Sequence, residues 1–465
     1  MGARQAASDQ ARARPAERPG GTGPWAEFGA QMRRWRGSAG FTQAQVGARV
    51  GYDHSAISRL ESGAREPSDR LARRLDEVLG AGGALLAAYR AVAAEQGRHD
   101  GAGRADPLPG GAPGPLVPDG LVLPSLLPSY GIACPLHPEA RCEVPPLAET
   151  PRPGALDGRA PGADTVHLLC ALLAACWSAG DERPLPGTAA AVERALHLIV
   201  GWAGEATGPA RRALVRLAGA YALLAGELRA SRGQNGMAMA WLHKCLYWAG
   251  MSDDPAVHVA ALCDMATIAR LEHDAPSAIT YAGAMREAYP GRRWAAVMAD
   301  LCEARGHALI GDVRACRRRV DGARDRLHGV GERDLAEAPW LAEASGQVYV
   351  ESAAAGALRD LAAMTADRSL ARLAIDAAGR SLACLAPGRR AARVLFTLRL
   401  ADGHACAGDL DAAVAIAEPL LAELPTLHTP LIGQELYGLR SRLMARWGNR
   451  PGMRDFTAHL GAVWQ

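Results

Sequence analysis

Lysine is nearly missing from this sequence: of its 52 Lys and Arg residues only one, Lys244, is a lysine. That scarcity excludes a GxxxxGK phosphate loop and leaves little scope for lysine-based covalent catalysis. It is the bias that a GC-rich bacterial genome imposes on basic codons. Long apolar runs are missing too. The longest, Leu168 to Trp177, is too short to cross a bilayer and carries helix-core residue types. The first 24 residues are rich in Arg, Gly and Pro and contain no apolar stretch, so no signal peptide is expected. There is no HExxH, no GxSxG and no carboxylate pair in a convincing context, so neither an enzyme nor a cofactor is expected. Net charge is low as well, +3 over 465 residues, and gives the whole chain no general pull toward polyanions.

What is present builds helices. Half of the residues (49%) are apolar but only 5% are aromatic, and Ala, Gly, Arg and Leu dominate. The ten cysteines lie scattered, mostly within Ala- and Leu-rich helical segments, as reduced, buried thiols do. A cytoplasmic location, with no membrane partner, follows as the expectation.

Composition divides the chain into four stretches. Residues 1–24 read as a disordered arm, 25–95 as a compact helical domain, 96–164 as a linker, and 165–465 as a long helical region. The linker is crowded with Pro and Gly (PLPGGAPGPLVPDG, then VPPLAETPRPGALDGRAPG), which cannot sustain helix or sheet ladders. Residues 1–95 hold 14 arginines against 10 acidic residues, so the small basic excess sits at the N-terminal end.

Within that end, FTQAQVGARVGYDHSAISRLESG (Phe41 to Gly63) reads as two short helices broken at Gly51. Thr42 and Gln45 form a capping box, Val46 and Val50 give the first helix its apolar side, and Asp53 caps the second. Ile57 and Leu60 face inward, so His54, Ser55, Ser58, Arg59 and Ser62 are left on the outward or N-terminal surface. Such short, hydrogen-bonding side chains suit the approach to base edges and phosphates. Gly47 is small where the two helices would cross, and Gly63 ends the second. Phe28, Met32 and Trp35 stripe a preceding helix; Leu71, Leu75 and Val78 stripe a following one, with Ser68 as its cap. The weak local basic excess predicts that one copy binds weakly and that a dimer supplies the rest.

Residues 25–92 closely resemble the helix-turn-helix domain of the lambda-repressor-like, Xre family. The resemblance rests on Gln after the cap, Gly at the turn, Ile-Ser-Arg-Leu-Glu and the terminal Gly. It implies a sequence-specific, DNA-binding transcriptional regulator that takes a double-stranded operator. Thr42 to Val50 would be the positioning helix and Asp53 to Ser62 the recognition helix. Gln43 would meet a phosphate, and His54, Ser55 and Arg59 the major-groove edges, Arg59 reading a guanine. Ser62, where the family often has Asn, and Arg65 would contact phosphates. Arg36 and Glu61 would form a structural ion pair that orients the recognition helix.

The long helical region repeats. ARGHALIGD (304–312) and ADGHACAGD (401–409) share Ala-x-Gly-His-Ala-x-x-Gly-Asp, with a looser copy, ARLEHDAPSAITYA, at 269–282. Trp294, Met298, Leu301 and Ala308 stripe the helix before one Gly-Asp; Val313, Cys316, Val320, Ala323 and Leu327 stripe the helix after it. The unit resembles a tetratricopeptide repeat, with Cys316, Val320 and Ala323, and Ala413 in the second copy, on its small-residue and aromatic slots. Roughly five or six helix pairs between 165 and 450, closed by LIGQELYGLRSRLMARWG, make an α-solenoid. Its groove would bind a peptide, a small molecule or a protein, or mediate dimerisation. His307 and His404 are expected in the core, and the arginine run CRRRVDGARDR (316–326) on a solvated face.

The overall expectation is all-α: a helix-turn-helix bundle, a linker and a tetratricopeptide-like array. Two other functions stand beside the regulator: an interaction scaffold, and a partner-controlled, antitoxin-like repressor. Cys134, His137 and Cys142 offer three zinc ligands within nine residues, but without a fourth they read as ordinary linker residues.

Overall fold

The computed structural model describes residues 25–50, 54–63, 66–67, 69–101, 134–136, 162–179, 187–386, 388–424, 430–450 and 453–462. Among these every regular element is helical, and the chain divides into two compact units, 1–107 and 108–465. The all-α expectation holds. The arm at 1–24 and nearly all of the linker lie outside the described residues.

The first unit holds α1 (Ala26–Ser38), α2 (Gln43–Val50), α3 (His54–Glu61), α4 (Asp69–Leu79) and α5 (Ala84–Gly101). Its core is the set of apolar stripes read from the sequence. Phe28, Met32, Val46, Ile57, Leu60 and Leu75 are each fully buried, while Trp35 and Val78 lie partly buried against them. No two of these short helices could hide such faces alone; packed together they close one core. The last helix adds what the stripes did not reveal. Leu85 of α5 is fully buried, Tyr89 stacks on Trp25 at 5.5 Å, and the Asp76 carboxylate accepts from the Leu85 backbone N–H at 2.8 Å. That carboxylate supplies the N-terminal cap of α5. The helix continues to Gly101, past the expected domain end at 95.

The second unit is a helical array. It comprises α6 (Ala163–Ala179), α7 (Thr188–Glu205), α8 (Gly208–Ala230), α9 (Asn235–Ser252), α10 (Pro255–Leu271) and α11 (Ala275–Ala288). There follow α12 (Arg293–Leu309), α13 (Val313–Leu327), the short α14 (Glu332–Glu337), α15 (Glu343–Thr365) and α16 (Arg368–Ala383). The array ends with α17 (Arg390–Ala407), α18 (Leu410–Ala417), α19 (Pro430–Trp447) and α20 (Met453–Ala462). From α7 to α13 and from α15 to α18 each helix packs on its successor, and α8, α10, α12, α15, α17 and α19 also pack in series on one another. The segment expected to close the array is thus followed by a partner, α20.

The repeated motif has a physical basis at each position. A Cβ on Gly306 would come within 2.7 Å of Ile279, and one on Gly403 within 2.9 Å of Ile375, so the glycine admits the neighbouring helix. The aspartate opens the next helix. Asp312 accepts from the Ala315 N–H at 2.9 Å, Asp409 from Ala412 at 3.1 Å, and Asp274 from Ser277 at 3.2 Å. Cys316, Val320, Ala323 and Ala413 are fully buried, as their stripes predict.

Two expectations change. His307 and His404 are half-buried in the last turns of their helices rather than in the core; each backbone carbonyl accepts from the N–H of the aspartate five residues on, Asp312 or Asp409, which caps the next helix. The arginine run does not simply face solvent either. Arg319 and Arg326 pair with Asp300, and Arg324 with Glu351, both carboxylates drawn from neighbouring helices and buried. In a stacked array each repeat contacts its neighbours, so polar residues on the stacking face meet the next helices rather than water.

Candidate nucleic-acid interface

The local start of α2 is the reciprocal box its sequence announces. The Thr42 backbone N–H donates to Gln45 Oε1 at 2.8 Å, and the Gln45 N–H donates to Thr42 Oγ1 at 3.2 Å. Two donors with no partner inside the helix are satisfied by the two side chains of the box, which fixes where α2 begins. At the other end of the pair, Gly63 adopts φ +74°, the left-handed conformation that stops α3. Gly47 is buried, as the crossing of α2 and α3 requires.

What orients α3 is a buried ionic knot. The Glu61 side chain is fully enclosed and accepts from Arg36 through both Nε and, at 3.0 Å, Nη2. Arg36 also donates through Nη1 to the Phe41 carbonyl at 2.9 Å, so one guanidinium ties α1, the start of α2 and the end of α3 together. Hydrogen bonding to the Glu61 carboxylate holds the Arg36 guanidinium above its ordinary pKa, so this is a full ion pair. The pairing of Arg36 with Glu61 is the one expected.

Gln43 joins the same knot. It is half-buried, and its Nε2 donates to Glu61 Oε2 at 2.9 Å. Sequence reasoning assigned this residue to a phosphate; its amide instead supports the carboxylate that orients α3. Arg33, exposed along most of its length, reaches the same group, its Nε lying 3.5 Å from Glu61 Oε2. Only the closure of three helices around one carboxylate reveals these two contributions. A helical face containing Arg33 and Arg36 gives no sign of which neighbour it will meet.

With Ile57 and Leu60 buried and Glu61 locked, Ser58 and Arg59 fall on the exposed side of α3. Ser62 is half-buried and returns its hydroxyl to the Arg59 carbonyl at 3.1 Å, finishing the helix. Thr42 is exposed at the beginning of α2. The backbone of His54 and Ser55 lies in the first turn of α3, but their side chains lie outside the described set, as does Arg65. Nearby, Arg49 covers the Phe41 ring at 4.3 Å and remains exposed. The arrangement is a short polar ridge with a guanidinium, held from behind by a buried anion. It can offer hydrogen bonds outward without paying to order itself at the moment of contact.

Of the three candidate zinc ligands, which read as ordinary linker residues, only one lies among the described residues. Cys134 is buried against the second unit, its Sγ 3.1 Å from His167 Nε2 of α6, while His137 and Cys142 lie outside the described residues. No group of three His, Cys, Asp or Glu side chains among the described residues is placed to hold a metal ion. The nine described cysteines are free thiols. No helix among the described residues is long and apolar enough to cross a membrane.

Residues 27–89 match the family of helix-turn-helix domains. The match spans α1 to α4 and the first third of α5, and therefore includes the knot and the ridge. Comparison of the chain with curated proteins and with solved structures gave no significant match.

Proposed function

We propose that this chain, which carries a helix-turn-helix domain followed by a large helical array, is a sequence-specific transcriptional regulator of the lambda-repressor-like, Xre kind. The observation that carries the reading is the outward ridge of α3, locked by Glu61 and Arg36. Ser58 and Arg59 enter the major groove of a double-stranded operator together with His54 and Ser55; Arg59 reads a guanine edge through its planar fork. Thr42, Ser62 and Arg65 lie along the phosphates and set register. The small basic excess of residues 1–95 supports binding as a homodimer, in which two heads share the operator and the counterion release of both. The array is of the tetratricopeptide kind, supported by its alternating packing and its Gly and Asp positions. It senses a ligand or partner and passes that signal to the heads as a change in operator affinity.

The test is to map the protein's binding sites on its own genome and then measure affinity for the recovered sequence. Replacing Arg59 with Ala removes an exposed side chain and leaves the core intact. Loss of the guanine contact is worth about 1–3 kcal/mol, or roughly a tenfold to hundredfold fall in specific affinity, with non-specific binding much less affected. Thermal stability stays within about 0.5 kcal/mol of the parent. Equal affinity of parent and variant for the operator would remove α3 from the interface and the regulator reading with it.

A further inference from the structure

Five helices of the array, α10, α12, α15, α17 and α19, line an open cavity of about 330 Å3. Its apolar wall comes from Leu301, Leu395, Phe396 and Leu431; its polar wall comes from three arginines, Arg270, Arg305 and Arg399. All three guanidinium-bearing residues are more than nine-tenths buried, with 5%, 8% and 6% of their surface exposed. Buried arginines require acceptors. The surrounding network leaves some of their donors without a hydrogen bond.

Three carboxylates serve the five arginines gathered here. Asp402 is held by Arg359 and by Arg442 at 2.6 Å; Glu435 by Arg399 at 2.9 Å and by Arg359, with Arg305 Nη2 farther off at 4.0 Å. Asp360 lies between Arg359 at 2.7 Å and Arg305 at 3.1 Å. Arg399 is also satisfied by the Ser352 carbonyl at 2.7 Å and hydroxyl at 2.6 Å. The deficit therefore falls on the other two arginines that line the cavity. Arg305 Nε and Nη2 have no hydrogen-bond acceptor among the described residues, the Nη2 approach to Asp360 being an ion pair without bonding geometry. Arg270 donates to the neutral Gln434 amide oxygen at 2.9 Å and has no carboxylate within ion-pairing distance among those residues. Burial, together with the neighbouring Arg305 cation, pulls the Arg270 pKa down to about 9, against the opposing pull of Asp360 and Glu435.

The backbone is shaped around this excess. A Cβ on Gly356 of α15 would strike the Arg305 guanidinium and lie 3.5 Å from that of Arg399. The missing side chain is what lets Arg305 lie across α15 at the cavity wall.

We propose that this cavity binds a small organic acid, its carboxylate held by Arg270 and Arg305 and its apolar body against Leu301, Leu395, Phe396 and Leu431. Two planar forks match one carboxylate. The volume equals about eleven waters at ~30 Å3 each, enough for a carboxylate on a body of roughly ten atoms. It lies at the small end of ligand pockets. The proposal rests on the array being the sensing half of the regulator and gives that half a ligand class.

The full-length protein is titrated calorimetrically with octanoate, phenylacetate and indole-3-acetate, each beside its primary amide. At least one acid binds at micromolar concentrations, and its amide binds at least tenfold more weakly. Arg270→Gln weakens the acid at least tenfold; Gly356→Ala, which keeps every charge but displaces Arg305, weakens it several-fold. Folding is checked by the ligand-free melting temperature, which should stay close to the parent because Arg270 gives up only its hydrogen bond to the Gln434 amide. Overturning results are that no acid binds, that acid and amide bind alike, that Arg270→Gln leaves affinity unchanged, or that a C-terminally free leucine-ended heptapeptide binds where the small acids do not. Operator affinity is measured separately. Acid binding without a change in operator affinity keeps the site and removes the sensing role; normal operator binding without acid binding removes the site alone.

Discussion

Replacing Arg36 with Met isolates the ionic knot, because methionine keeps the apolar stem and removes only the fork. Glu61 is then left fully enclosed, with Gln43 Nε2 at 2.9 Å and the more distant Arg33 as its remaining donors. Breaking a buried ion pair from one side typically costs about 3–5 kcal/mol. Since two weaker donors survive, the low end applies here, about 3 kcal/mol. The loss falls on the closure of α3 against α1 and α2, so native-state hydrogen exchange of the full-length protein is the assay. Amides of α3 should exchange roughly a hundredfold faster, at about 1.4 kcal/mol per factor of ten. Amides of the helical array should not change.

A double variant separates lost pairing from lost packing. With Arg36→Met and Glu61→Leu together, no charge is left buried, and most of the protection should return, since an apolar pair of similar volume is often as stable as an ion pair. The coupling between the two substitutions should exceed about 2 kcal/mol. If Arg36→Met alone shifts α3 exchange by less than about 0.5 kcal/mol, or if the double variant is no better than the single, Glu61 is not what holds the ridge. In operator binding the two kinds of defect also part. Arg36→Met lowers affinity in proportion to how often α3 opens and leaves the preferred sequence intact, whereas Arg59→Ala changes the preference at one base pair.

Gly29 of α1 packs so closely on the end of α3 that a Cβ there would lie 2.4 Å from the Leu60 carbonyl oxygen and 2.6 Å from that of Glu61. Gly29→Ala should therefore destabilise the first unit by about 2–3 kcal/mol despite the better helix propensity of alanine, read as faster exchange in α1 and α3. In the array, burial pushes the Glu227 carboxyl up to about 7, opposed by the 3.2 Å hydrogen bond it accepts from Trp177 Nε1. A carboxyl raised in this way contributes most below its unfolded pKa, and the contribution is lost as pH rises through about 7. Glu227→Gln should then raise the melting temperature of the array at pH 8, by the equivalent of about 1–3 kcal/mol, and have little effect at pH 4. Equal gains at both pH values would remove titration as the cause.

The sequence announced the first unit more fully than the second, and the reason lies in where each signal is encoded. A capping box, a left-handed glycine and an apolar stripe are set by residues within one or two turns of one another, so Thr42–Gln45, Gly63 and the run Phe28, Met32, Trp35 are readable without a fold. Arg36 with Glu61 was legible only through family resemblance, since the two stand 25 positions apart. Asp76 capping α5, and Gln43 turning inward to Glu61, depend on how helices return through space, and no local pattern carries that. His307 shows the opposite failure. The repeat resemblance put it on an inward-facing core slot, yet a residue in the last turn of its helix keeps one side in water.

The cavity arginines were hidden for a more specific reason, which the repeat itself supplies. In Ala-x-Gly-His the informative residues seemed to be the constant ones, and they are, for stacking: the glycine admits the neighbouring helix and the aspartate begins the next. The variable position lies seven residues before that aspartate, and it holds Arg305 in one copy and Asp402 in the other. The same offset from Asp367, the cap of α16, falls on Asp360. So three successive helices of the series, α12, α15 and α17, place a charged residue at one equivalent position. All three belong to the buried network beside the cavity. Stacking constrains the glycine and the cap, whereas it asks nothing of the charge at the position between them. Substitution there can change what the cavity holds while the array remains assembled, which is how a repeat scaffold separates its fold from its specificity. Exchanging Asp360 for Asn would test this separation. The helix pairs should remain stacked, while removal of one of the three carboxylates leaves Arg305 further from neutrality and tightens the binding of an organic acid.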